Sequence, residues 1–460
     1  MSNQKIKKGI DRRSFLRSTA AAGAGLVLSP TGLGQADNSK KEDDINVALI
    51  GTGEQGRTLM MACLKIPGIR FKAVCDIWPY NLNWVSRRLK AYRHQHHTYQ
   101  DYREMLDKET DLDAAIIATP DFWHAEQTIS CLEAGLHVYC EKEMSNTLEA
   151  AKRMVKAAKR TGRMLQIGHQ RRSNPRYILC YEKLLKEAKL LGRITAVNGQ
   201  WNRGVSPARG WPKETGLDTT TLNKYGYESM AQLRNWRWYK GLGGGPIVDL
   251  GSHQIDVYNW FLDATPKSVI ASGRTNYYDT DTHQWYDTVM AIYQYETSQG
   301  PVSAYYQTLT ANSSDGYFEK FMGDQGTLKI SESVERCAVY PESRDIDAAT
   351  WLKCIQKNYL TAPEEIMEVI NKLTLSQLAR YLMVDQTPPP VHRPRFKLPI
   401  AMDKPVHQPH LENFFDAIHG KAKINCPAEI GYETAVTVLK VNEAVEAGRR
   451  LDFKPEEFRV

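Results

Sequence analysis

The chain has 460 residues, 42% of them hydrophobic and 25% charged, which is the composition of a globular protein large enough for two or three domains. No apolar run reaches the roughly 20 residues that a membrane-spanning helix needs, which excludes such a span. The net charge is +7, but residues 1–36 hold six Lys or Arg and one Asp, a net +5, which leaves about +2 for the rest. That small excess gives no support to nucleic-acid binding, which needs a clustered basic face.

The first 36 residues have the pattern of a targeting segment. Residues 11–17 (Asp-Arg-Arg-Ser-Phe-Leu-Arg) have the form of a twin-arginine export signal, a small and weakly apolar run follows, and Gly34-Gln35-Ala36 offers a cleavage site. We therefore expect a signal peptide over residues 1–36 and a mature protein that is periplasmic or otherwise exported through the twin-arginine pathway. The alternative is a disordered basic tail.

The next stretch predicts a dinucleotide site. An apolar strand over residues 46–50 runs into Gly51-Thr52-Gly53-Glu54-Gln55-Gly56, a G-x-G-x-x-G turn, and residues 57–65 continue with helical spacing. In this pattern the first glycine makes a tight turn, the second admits the pyrophosphate, and the third lets the helix pack on the strand. The phosphates would rest on amides at the helix N-terminus. We expect nucleotide contacts from Gly51, Thr52, Gly53, Gln55 and Gly56.

An acidic residue at the end of the second strand supports this site. Residues 71–75 form that strand, and Asp76 follows it, 20 residues after Gly56. A carboxylate there accepts the ribose hydroxyls of an adenosine and repels a 2′-phosphate, which favours NAD over NADP. Arg87 and Arg88 lie close enough in sequence to weaken that preference. The alternative is an ordinary strand–helix turn with a solvated aspartate.

Strands and helices alternate up to residue 168 without a hairpin. The spacing predicts helices over 81–92, 102–106, 124–134 and 148–159, and strands over 114–118, 137–140 and 164–168. Such alternation requires a parallel sheet with helices on both faces. We therefore predict an NAD-binding Rossmann domain over residues 45–168.

The pattern changes after residue 168. A helix is predicted over 175–191, and strand-like segments follow at 194–201, 266–275, 287–295, 302–310, 319–322 and 326–330, several with alternating apolar and polar residues. Further helices are predicted over 252–261, 411–419 and 430–447, and the proline-rich residues 386–399 are typical of an extended strap. The predicted fold class is α/β: a Rossmann domain, then an α+β domain over residues 169–460 with a mainly antiparallel open sheet and C-terminal helices that return to the core.

These motifs resemble those of the Gfo/Idh/MocA family, the sugar oxidoreductases grouped with glucose–fructose oxidoreductase and inositol dehydrogenase. Nearly the whole mature chain is covered, and the matching pieces are the glycine turn, residues 118–121 with His124, residues 135–138 with Glu141-Lys142, residues 243–253 and residues 410–414. The resemblance implies further nucleotide contacts from Thr119, Pro120, His124, Glu141 and Lys142. It also implies that subunits pair through the open sheet as a homodimer or homotetramer.

One position departs from the family pattern. The family usually reads Glu-Lys-Pro, whereas this chain has Glu141-Lys142-Glu143. Without the proline, the placement of Lys142 is left open, and the extra carboxylate could alter the pKa of Lys142 or the sugar pocket.

Three residues are expected to carry the chemistry. Hydride transfer from a sugar carbinol needs a base for the hydroxyl proton and a donor that stabilises the growing alkoxide. Lys142, at the carboxyl end of a parallel strand, can orient the hydroxyl and steady the oxyanion. His253 suits proton exchange, and Asp249, four residues earlier, shares its helix face. The residues alone also fit a surface lysine, a capping aspartate with a structural histidine, or two metal ligands; the family resemblance favours catalysis. Since no third ligand is evident, no metal site is predicted.

Two further groups are candidates for substrate binding. His169, Arg172 and Tyr177 lie at the crossover into the second domain and could bind sugar hydroxyls or a carboxylate. Trp236 and Arg237 precede the glycine run of residues 243–245, and an indole suits stacking on a pyranose face. For the crossover residues, the alternative is an interdomain hinge with solvated charge. For Trp236 and Arg237, the alternative is packing in the core.

These observations predict an exported, NAD-dependent oxidoreductase that acts on a sugar or sugar derivative, with NADP the less favoured cofactor. Because free NAD is scarce outside the cytoplasm, we expect the nucleotide to be held tightly and returned to its starting redox state. The alternative is a redox-neutral glycoside hydrolase that oxidises, eliminates, hydrates and reduces in one cycle. A nucleotide-stabilised sugar-binding protein without activity is a third hypothesis.

The expected partner is therefore a small-molecule sugar or glycoside. The eight cysteines form no C-x-x-C pair and are interpreted as small buried apolar residues, although an exported protein could form disulfides.

Overall fold

The computed structural model describes residues 44–342, 346–368, 370–383 and 394–460. The predicted signal peptide and most of the predicted proline-rich strap lie outside these ranges. Among the helices within them, none is both long and apolar enough to cross a membrane.

The first half of the described chain forms a six-stranded parallel sheet. Its strands are β1 (Ile45–Ile50), β2 (Ile69–Cys75), β3 (His97–Tyr99), β4 (Ala114–Ile117), β5 (His137–Cys140) and β6 (Leu165–Ile167). They lie in the order β3-β2-β1-β4-β5-β6. The connecting helices are α1 (Glu54–Cys63), α2 (Pro79–Ala91), α3 (Tyr102–Lys108), α4 (Asp121–Glu133) and α5 (Leu148–Thr161). The predicted Rossmann architecture is confirmed, with β3 as an additional edge strand.

The central strands are short runs of apolar residues because helices cover both faces of the sheet. β1 and β4 are buried at every position. One face packs on α1 and α2, and on residues 411–415 from the C-terminal part of the chain. The other face packs on α4 and α5 and merges with the core of the second domain. The carboxyl ends of the strands are left at one edge, where ligands bind in sheets of this type.

The second half forms an eight-stranded mixed sheet. Its strands are β7 (Ile194–Asn202), β8 (Pro266–Arg274), β9 (Thr288–Thr297), β10 (Gly300–Leu309), β11 (Tyr317–Gly323), β12 (Gly326–Ile330), β13 (Ala338–Pro341) and β14 (Leu451–Asp452). They lie in the order β13-β12-β11-β7-β10-β9-β8-β14. β10 pairs with β7 in parallel, and the other pairs are antiparallel. The predicted mainly antiparallel sheet is confirmed.

The helices of this half are α6 (Pro175–Leu179), α7 (Thr219–Lys224), α8 (Met230–Asn235), α9 (Gly245–Leu262), α10 (Ala348–Gln356), α11 (Glu364–Met367), α12 (Leu375–Leu382), α13 (Gln408–Ile418) and α14 (Ala428–Ala447). Helices α9 and α14 pack together and against the sheet. The opposite face of the sheet is exposed. Its residues include Ile270, Met290 and Ile292, which are 43–46% exposed.

Two helices differ from their predicted bounds by more than three residues. Helix α9 begins at Gly245 rather than at residue 252, because Pro246 fits a first helical turn, where its missing N–H loses no hydrogen bond. Asp249 and His253 therefore both lie inside the helix, one turn apart. The predicted helix over 175–191 is the short α6 followed by a π-helix, Cys180–Glu187.

Candidate active site

A cleft of about 540 Å³ lies where the carboxyl ends of the parallel strands face the second domain. The first domain contributes the glycine turn and several strand ends, and the second contributes aromatic and charged side chains. Among the lining residues are Gly51, Gly53, Gln55, Asp76, Thr119, Pro120, Glu141, Lys142, Trp201, Arg203, Trp236, Arg237, Asp249 and His253. One cavity thus contains most of the predicted nucleotide-binding residues and all three predicted catalytic residues.

The glycine turn has the geometry that a bound pyrophosphate needs. Gly51 has a φ of +90°, and a Cβ there would lie 2.6 Å from the carbonyl carbon of Ala118. A Cβ on Gly56 would lie 1.9 Å from the carbonyl oxygen of Gly51, so the helix can approach the strand only without a side chain. Gly53, by contrast, has open space around its Cβ position, and no side chain caps α1. The first-turn amides of α1 are available to a phosphate.

Asp76 is positioned by its own turn. One carboxylate oxygen accepts hydrogen bonds from the amide (2.7 Å) and hydroxyl (2.8 Å) of Thr52, and the other accepts one from the amide of Trp78 (2.8 Å). Burial raises the pKa of Asp76, and these three hydrogen bonds oppose that shift. A carboxylate has about four acceptor sites, so Asp76 keeps capacity for a ribose hydroxyl. Together with the glycine turn, it fits a dinucleotide.

Lys142 and Asp249 meet across the two domains. Nζ of Lys142 donates to the backbone oxygen of Asp249 at 2.5 Å and lies 3.2 Å from Oδ1 of the same residue. Nε of Arg237 lies 2.9 Å from that Oδ1. Burial alone would raise the pKa of Asp249, but Arg237 and Lys142 hold it far below its usual range. Asp249 is therefore an anion that fixes two cations in the cleft.

His253 presents a neutral imidazole to the same cavity. Its ring centroid lies 5.6 Å from that of Trp201 and 6.3 Å from that of His169. Burial, and then the charge of Lys142, lower the pKa of His253 well below its usual value. Its Nδ1 has no hydrogen-bond partner among the described residues. A neutral ring with an unpaired nitrogen can accept a proton.

The departure from the family pattern leaves Lys142 in the cleft. Its peptide bond to Glu143 is cis, and Glu143 is fully buried, outside the cleft lining. Oε1 of Glu143 accepts the amide of Met144 at 2.7 Å, whereas Oε2 has no partner among the described residues. Burial raises the pKa of Glu143 to about 8, so this carboxyl is mostly protonated at neutral pH. The added residue brings little charge to the sugar pocket.

His124 lies behind the cleft rather than in it. The ring is fully buried, with Nδ1 2.7 Å from the carbonyl oxygen of Glu143 and Nε2 2.8 Å from that of Thr119. Burial lowers the pKa of His124 to about 4, so the neutral ring donates to one of the two. His124 therefore holds two turns that border the cleft, a different position from the direct nucleotide contact implied by resemblance. Thr119 and Pro120 do line the cleft.

The crossover residues are packed between the domains and do not line the cleft. Arg172 forms a buried ion pair with Asp256 at 2.9 Å. The hydroxyl of Tyr177 donates to Glu319 at 2.9 Å within the core. His169 is 1% exposed, and burial lowers its pKa to about 4. The sequence position suggested a substrate-facing hinge, but the acidic partners on α9 and β11 draw Arg172 and Tyr177 inward; Trp236 and Arg237 reach the cleft as expected.

Several cleft residues were not singled out from the sequence. Asp121 is 3% exposed and lines the cleft beside Lys142. Burial, and then the charge of Asp249, raise the pKa of Asp121 to about 7. Trp201 lies near the end of β7 and Arg203 follows that strand. The side-chain nitrogens of His407 and Gln55 lie 3.1 Å apart. Asp121 belongs to a quoted family motif, which was a usable signal; the others depend on chain segments far apart in sequence.

Within the described ranges, no cluster of three or more His, Cys, Asp or Glu could hold a metal ion. All eight cysteines are buried and free, as a packing role requires.

Family models match both halves of the chain. Residues 45–169 match "Oxidoreductase family, NAD-binding Rossmann fold", and residues 183–329 match "GFO/IDH/MocA C-terminal domain". The chain belongs to the Gfo/Idh/MocA family. Its membership agrees with the two observed sheets and with the glycine turn in the cleft.

Curated relatives include proteins named "Glycosyl hydrolase family 109 protein". The one from Shewanella baltica is 33% identical over 173 residues, which are 33% of this chain and 38% of that protein. The one from Saccharopolyspora erythraea is 29% identical over 171 residues, 33% of this chain and 37% of that protein. The match thus spans little more than a third of these relatives' length.

Solved structures match over much more of the chain. The WlbA dehydrogenase from Bordetella pertussis, in complex with NADH and UDP-GlcNAcA, has a TM-score of 0.61 and 18% identity, covering 89% of this chain and 99% of that one. A levoglucosan dehydrogenase in complex with NADH has a TM-score of 0.64 and 19% identity, with the same two coverages. At such identities the likeness demonstrates a shared fold.

Proposed function

We propose that this protein is an exported, NAD-dependent oxidoreductase that acts on a sugar or sugar derivative and keeps its nucleotide tightly bound. The observation that carries the proposal is the shared cavity: the open glycine turn lies in the same cleft as Lys142, Asp249 and His253. NAD bound along the turn would supply the hydride acceptor. The WlbA dehydrogenase in complex with NADH and UDP-GlcNAcA and the levoglucosan dehydrogenase in complex with NADH support this reaction class.

The side chains have complementary tasks. The imidazole of His253 lines the cleft and is neutral, so it takes the proton of the sugar hydroxyl. The ammonium of Lys142 orients that hydroxyl and stabilises the oxygen as negative charge develops. Asp249 holds the ammonium through two oxygen contacts and so fixes its position. Positive charge beside His253 also disfavours its imidazolium, which helps to return the proton.

Tight nucleotide binding is supported by residues 203–242, here called the cover segment. Part of it forms a small apolar cluster that includes Trp78, the second residue after Asp76. Nε1 of Trp78 donates to the carbonyl of Thr215 at 2.6 Å, and Nε1 of Trp123 donates to that of Tyr225 at 3.2 Å. The cover segment is thus attached to the first domain beside the adenosine end of the proposed site, where it would slow release.

The direct test is to denature the purified protein and measure released NAD(H) by absorbance and mass. The folded protein is then mixed with a sugar library, and the absorbance of reduced nicotinamide is followed. We expect released nucleotide and a response to at least one sugar. A protein that carries no nucleotide and has no micromolar affinity for NAD(H) would refute the proposal. Fractionation of cells that express the full chain tests export, with Arg12→Lys and Arg13→Lys together as the control.

A redox-neutral glycoside hydrolase is the second candidate function. The partial match to glycosyl hydrolase family 109 proteins favours it, and so does Asp121. Elimination of an aglycone needs a group for the acidified C–H in addition to the base for the hydroxyl. Asp121 lines the cleft, and its pKa of about 7 lets it exchange a proton near neutrality.

Aryl glycosides in heavy water separate the two functions. In the second candidate, the sugar carbon next to the oxidised one loses its proton, the aglycone leaves, water adds, and the sugar is reduced again. Cleavage with deuterium at that carbon supports this cycle. An oxidised sugar without cleavage supports the dehydrogenase.

A further inference from the structure

Arg203 is a cation of the cleft that has no acidic partner among the residues the structure describes. It follows β7, and its amide donates to the carbonyl of Leu309 at 2.8 Å, which fixes the backbone to β10. Its guanidinium lies 5.0 Å from the centroid of the Trp201 ring and faces the cleft. No carboxylate in the described part of the chain lies within salt-bridge distance of it, whereas the neighbouring Arg209 pairs with Glu54 at 2.7 Å. An arginine restrained on an indole but unpaired is prepared for a ligand.

The charges around Arg203 do not balance. The strongest charge near it is Asp249, followed by Arg237. The same oxygen of Asp249 already contacts both Lys142 and Arg237. Three cations therefore share one anion, and Asp121, with a pKa of about 7, adds at most one more negative charge. Of the three cations, Lys142 and Arg237 contact the carboxylate, and Arg203 is left for a ligand to neutralise.

The location of Arg203 places that ligand in the part of the cleft near His253, where the substrate is expected, rather than at the nucleotide. The nucleotide phosphates belong at the glycine turn, and the acid beside that turn, Glu54, is already paired. Arg203 instead shares Trp201 with the proposed base: the Trp201 ring lies 5.0 Å from the guanidinium and 5.6 Å from the His253 ring. A group held by Arg203 is thus separated from the reacting hydroxyl by one aromatic side chain.

We propose that Arg203 binds a negatively charged group of the saccharide, so the substrates of this protein are anionic sugars or their glycosides. This inference rests on the proposed function and adds the substrate class. A carboxylate, a phosphate ester or a sulfate ester presents the paired oxygens that a guanidinium binds through two parallel hydrogen bonds. Nearby protein atoms lower the pKa of Arg203, but the side chain is exposed to the cleft and arginine stays charged in proteins. A bound saccharide would displace water from the guanidinium and so strengthen its interaction with an anion.

The test compares matched neutral and anionic saccharides on the nucleotide-loaded protein. Methyl glucoside, methyl galactoside and methyl N-acetylglucosaminide are each paired with the corresponding uronate, phosphate ester and sulfate ester, and the three anion types distinguish the source of the charge. Steady-state assays, with an artificial electron acceptor added to reoxidise the bound nucleotide, give kcat and KM. We expect the anionic member of each reacting set to have the higher kcat/KM. Arg203→Gln should raise its KM by about 10- to 100-fold, the range for a lost hydrogen bond to a charged group, with a smaller effect on kcat.

Two variants act as controls. Arg203→Lys keeps the charge but not the paired donors and should recover part of the preference. Arg274→Gln, at the exposed end of β8 and outside the cleft lining, should leave it unchanged. Equal use of neutral and anionic sugars, or a preference that survives Arg203→Gln, overturns the inference. The proposed dehydrogenase function would still stand. No response to any sugar, with no nucleotide in the protein, means instead that the proposed function has failed.

Chemical protection gives a readout that does not depend on turnover. Phenylglyoxal modifies accessible arginines, and mass spectrometry of the peptide that contains Arg203 reports the extent. The reactive anionic saccharide should protect Arg203, its neutral counterpart should not, and Arg274 should react equally with both. Equal modification of Arg203 with and without the anionic sugar would contradict direct contact.

Discussion

Lys142 and His253 face one cavity from different domains, so they can act on one transition state. Each alanine substitution should lower turnover by roughly 10²–10⁴-fold, the usual range for a positioned acid or base. If the ammonium holds the oxygen while the imidazole takes its proton, the double variant should be little slower than the slower single variant. Single-turnover reduction of the bound nucleotide by sugar measures all three.

Lys156→Ala, on the exposed side of α5, is the matched control and should turn over normally. Nucleotide content should also persist in the Lys142 and His253 variants. Losses that multiply in the double variant would show separate roles, and normal turnover in His253→Ala would remove it from the mechanism.

Asp76 should affect nucleotide binding rather than chemistry. Its carboxylate accepts both hydrogen bonds from Thr52 and is the predicted acceptor for the adenosine ribose. Asp76→Ala should weaken NAD binding by about 10- to 100-fold, because a hydrogen bond to a charged group is lost. Titration calorimetry with NAD and NADP measures both affinities, and kcat at saturating NAD should change less. An unchanged preference for NAD in Asp76→Ala would assign that selectivity to other residues.

Glu143 should make stability depend on pH. Burial raises the pKa of Glu143 to about 8 in the folded protein, against about 4.3 when unfolded. The folded state therefore holds a proton that the unfolded state releases, and stability falls as the pH rises from about 4.3 to 8. Glu143→Gln keeps the acceptor for the Met144 amide and removes this cost. The substitution should raise the free energy of unfolding more at pH 8 than at pH 5, by on the order of a few kcal/mol, and the Tm should rise accordingly.

Calorimetry across that pH range measures the effect, with the exposed Glu443→Gln as the control. A gain that is the same at both pH values would mean that the Glu143 carboxyl does not carry the buried proton.

The sequence could indicate catalytic candidates where a motif sits at a strand end, as at Lys142, because parallel strands deliver their ends to one edge. It could not indicate Arg203, whose significance depends on the lack of an acidic partner within the described ranges. Nor could it show that Arg172 turns toward Asp256. Such pairings join residues far apart in sequence, and only the packed chain decides them.

At the scale of elements, the cover segment should control nucleotide release. Trp78→Phe keeps an aromatic ring in the apolar cluster but loses the 2.6 Å hydrogen bond to Thr215. A net loss typical of one hydrogen bond corresponds to roughly tenfold or less in rate, so NAD should dissociate faster by up to that factor. Stopped-flow displacement of bound NADH by excess NAD measures it. Trp351→Phe, on α10, tests whether any buried tryptophan substitution destabilises the protein enough to speed nucleotide release. Equal acceleration of release in that variant would argue against a local role of Trp78.

Periodicity located the elements that pack with a regular pattern and missed those that do not. Strands β7 to β12 were predicted to within two residues, several of them because α9 and α14 cover one face and apolar and polar residues alternate, whereas the short strands β13 and β14 were not predicted. The short helices α7 and α8 have six residues each, too few to be stable alone. Their helicity comes from packing on Trp78 and Trp236, which no local pattern records.

For the whole molecule, the uncovered sheet face is the expected subunit interface. Ile270 and Ile292 are directly opposite each other on β8 and β9, and Tyr305 on β10 faces Ile292. Ile270 and Ile292 are 46% and 43% exposed, and their sequence neighbours Val269 and Ala291 are fully buried. Apolar residues therefore lie on both faces of the sheet. A second copy of the chain that covers Ile270 and Ile292 would explain why these exposed positions are apolar, as the family resemblance implies.

Changing Ile270 and Ile292 together to aspartate should therefore convert an assembly of the mature chain into monomers, because two charges would be buried against their own copies across a symmetric interface. Light scattering at several concentrations gives the mass of each species. Met367→Asp, at another exposed apolar position on α11, should leave the mass unchanged. A wild-type chain that is strictly monomeric would rule out the interface. An oligomer that survives the double substitution would place the interface on a different surface.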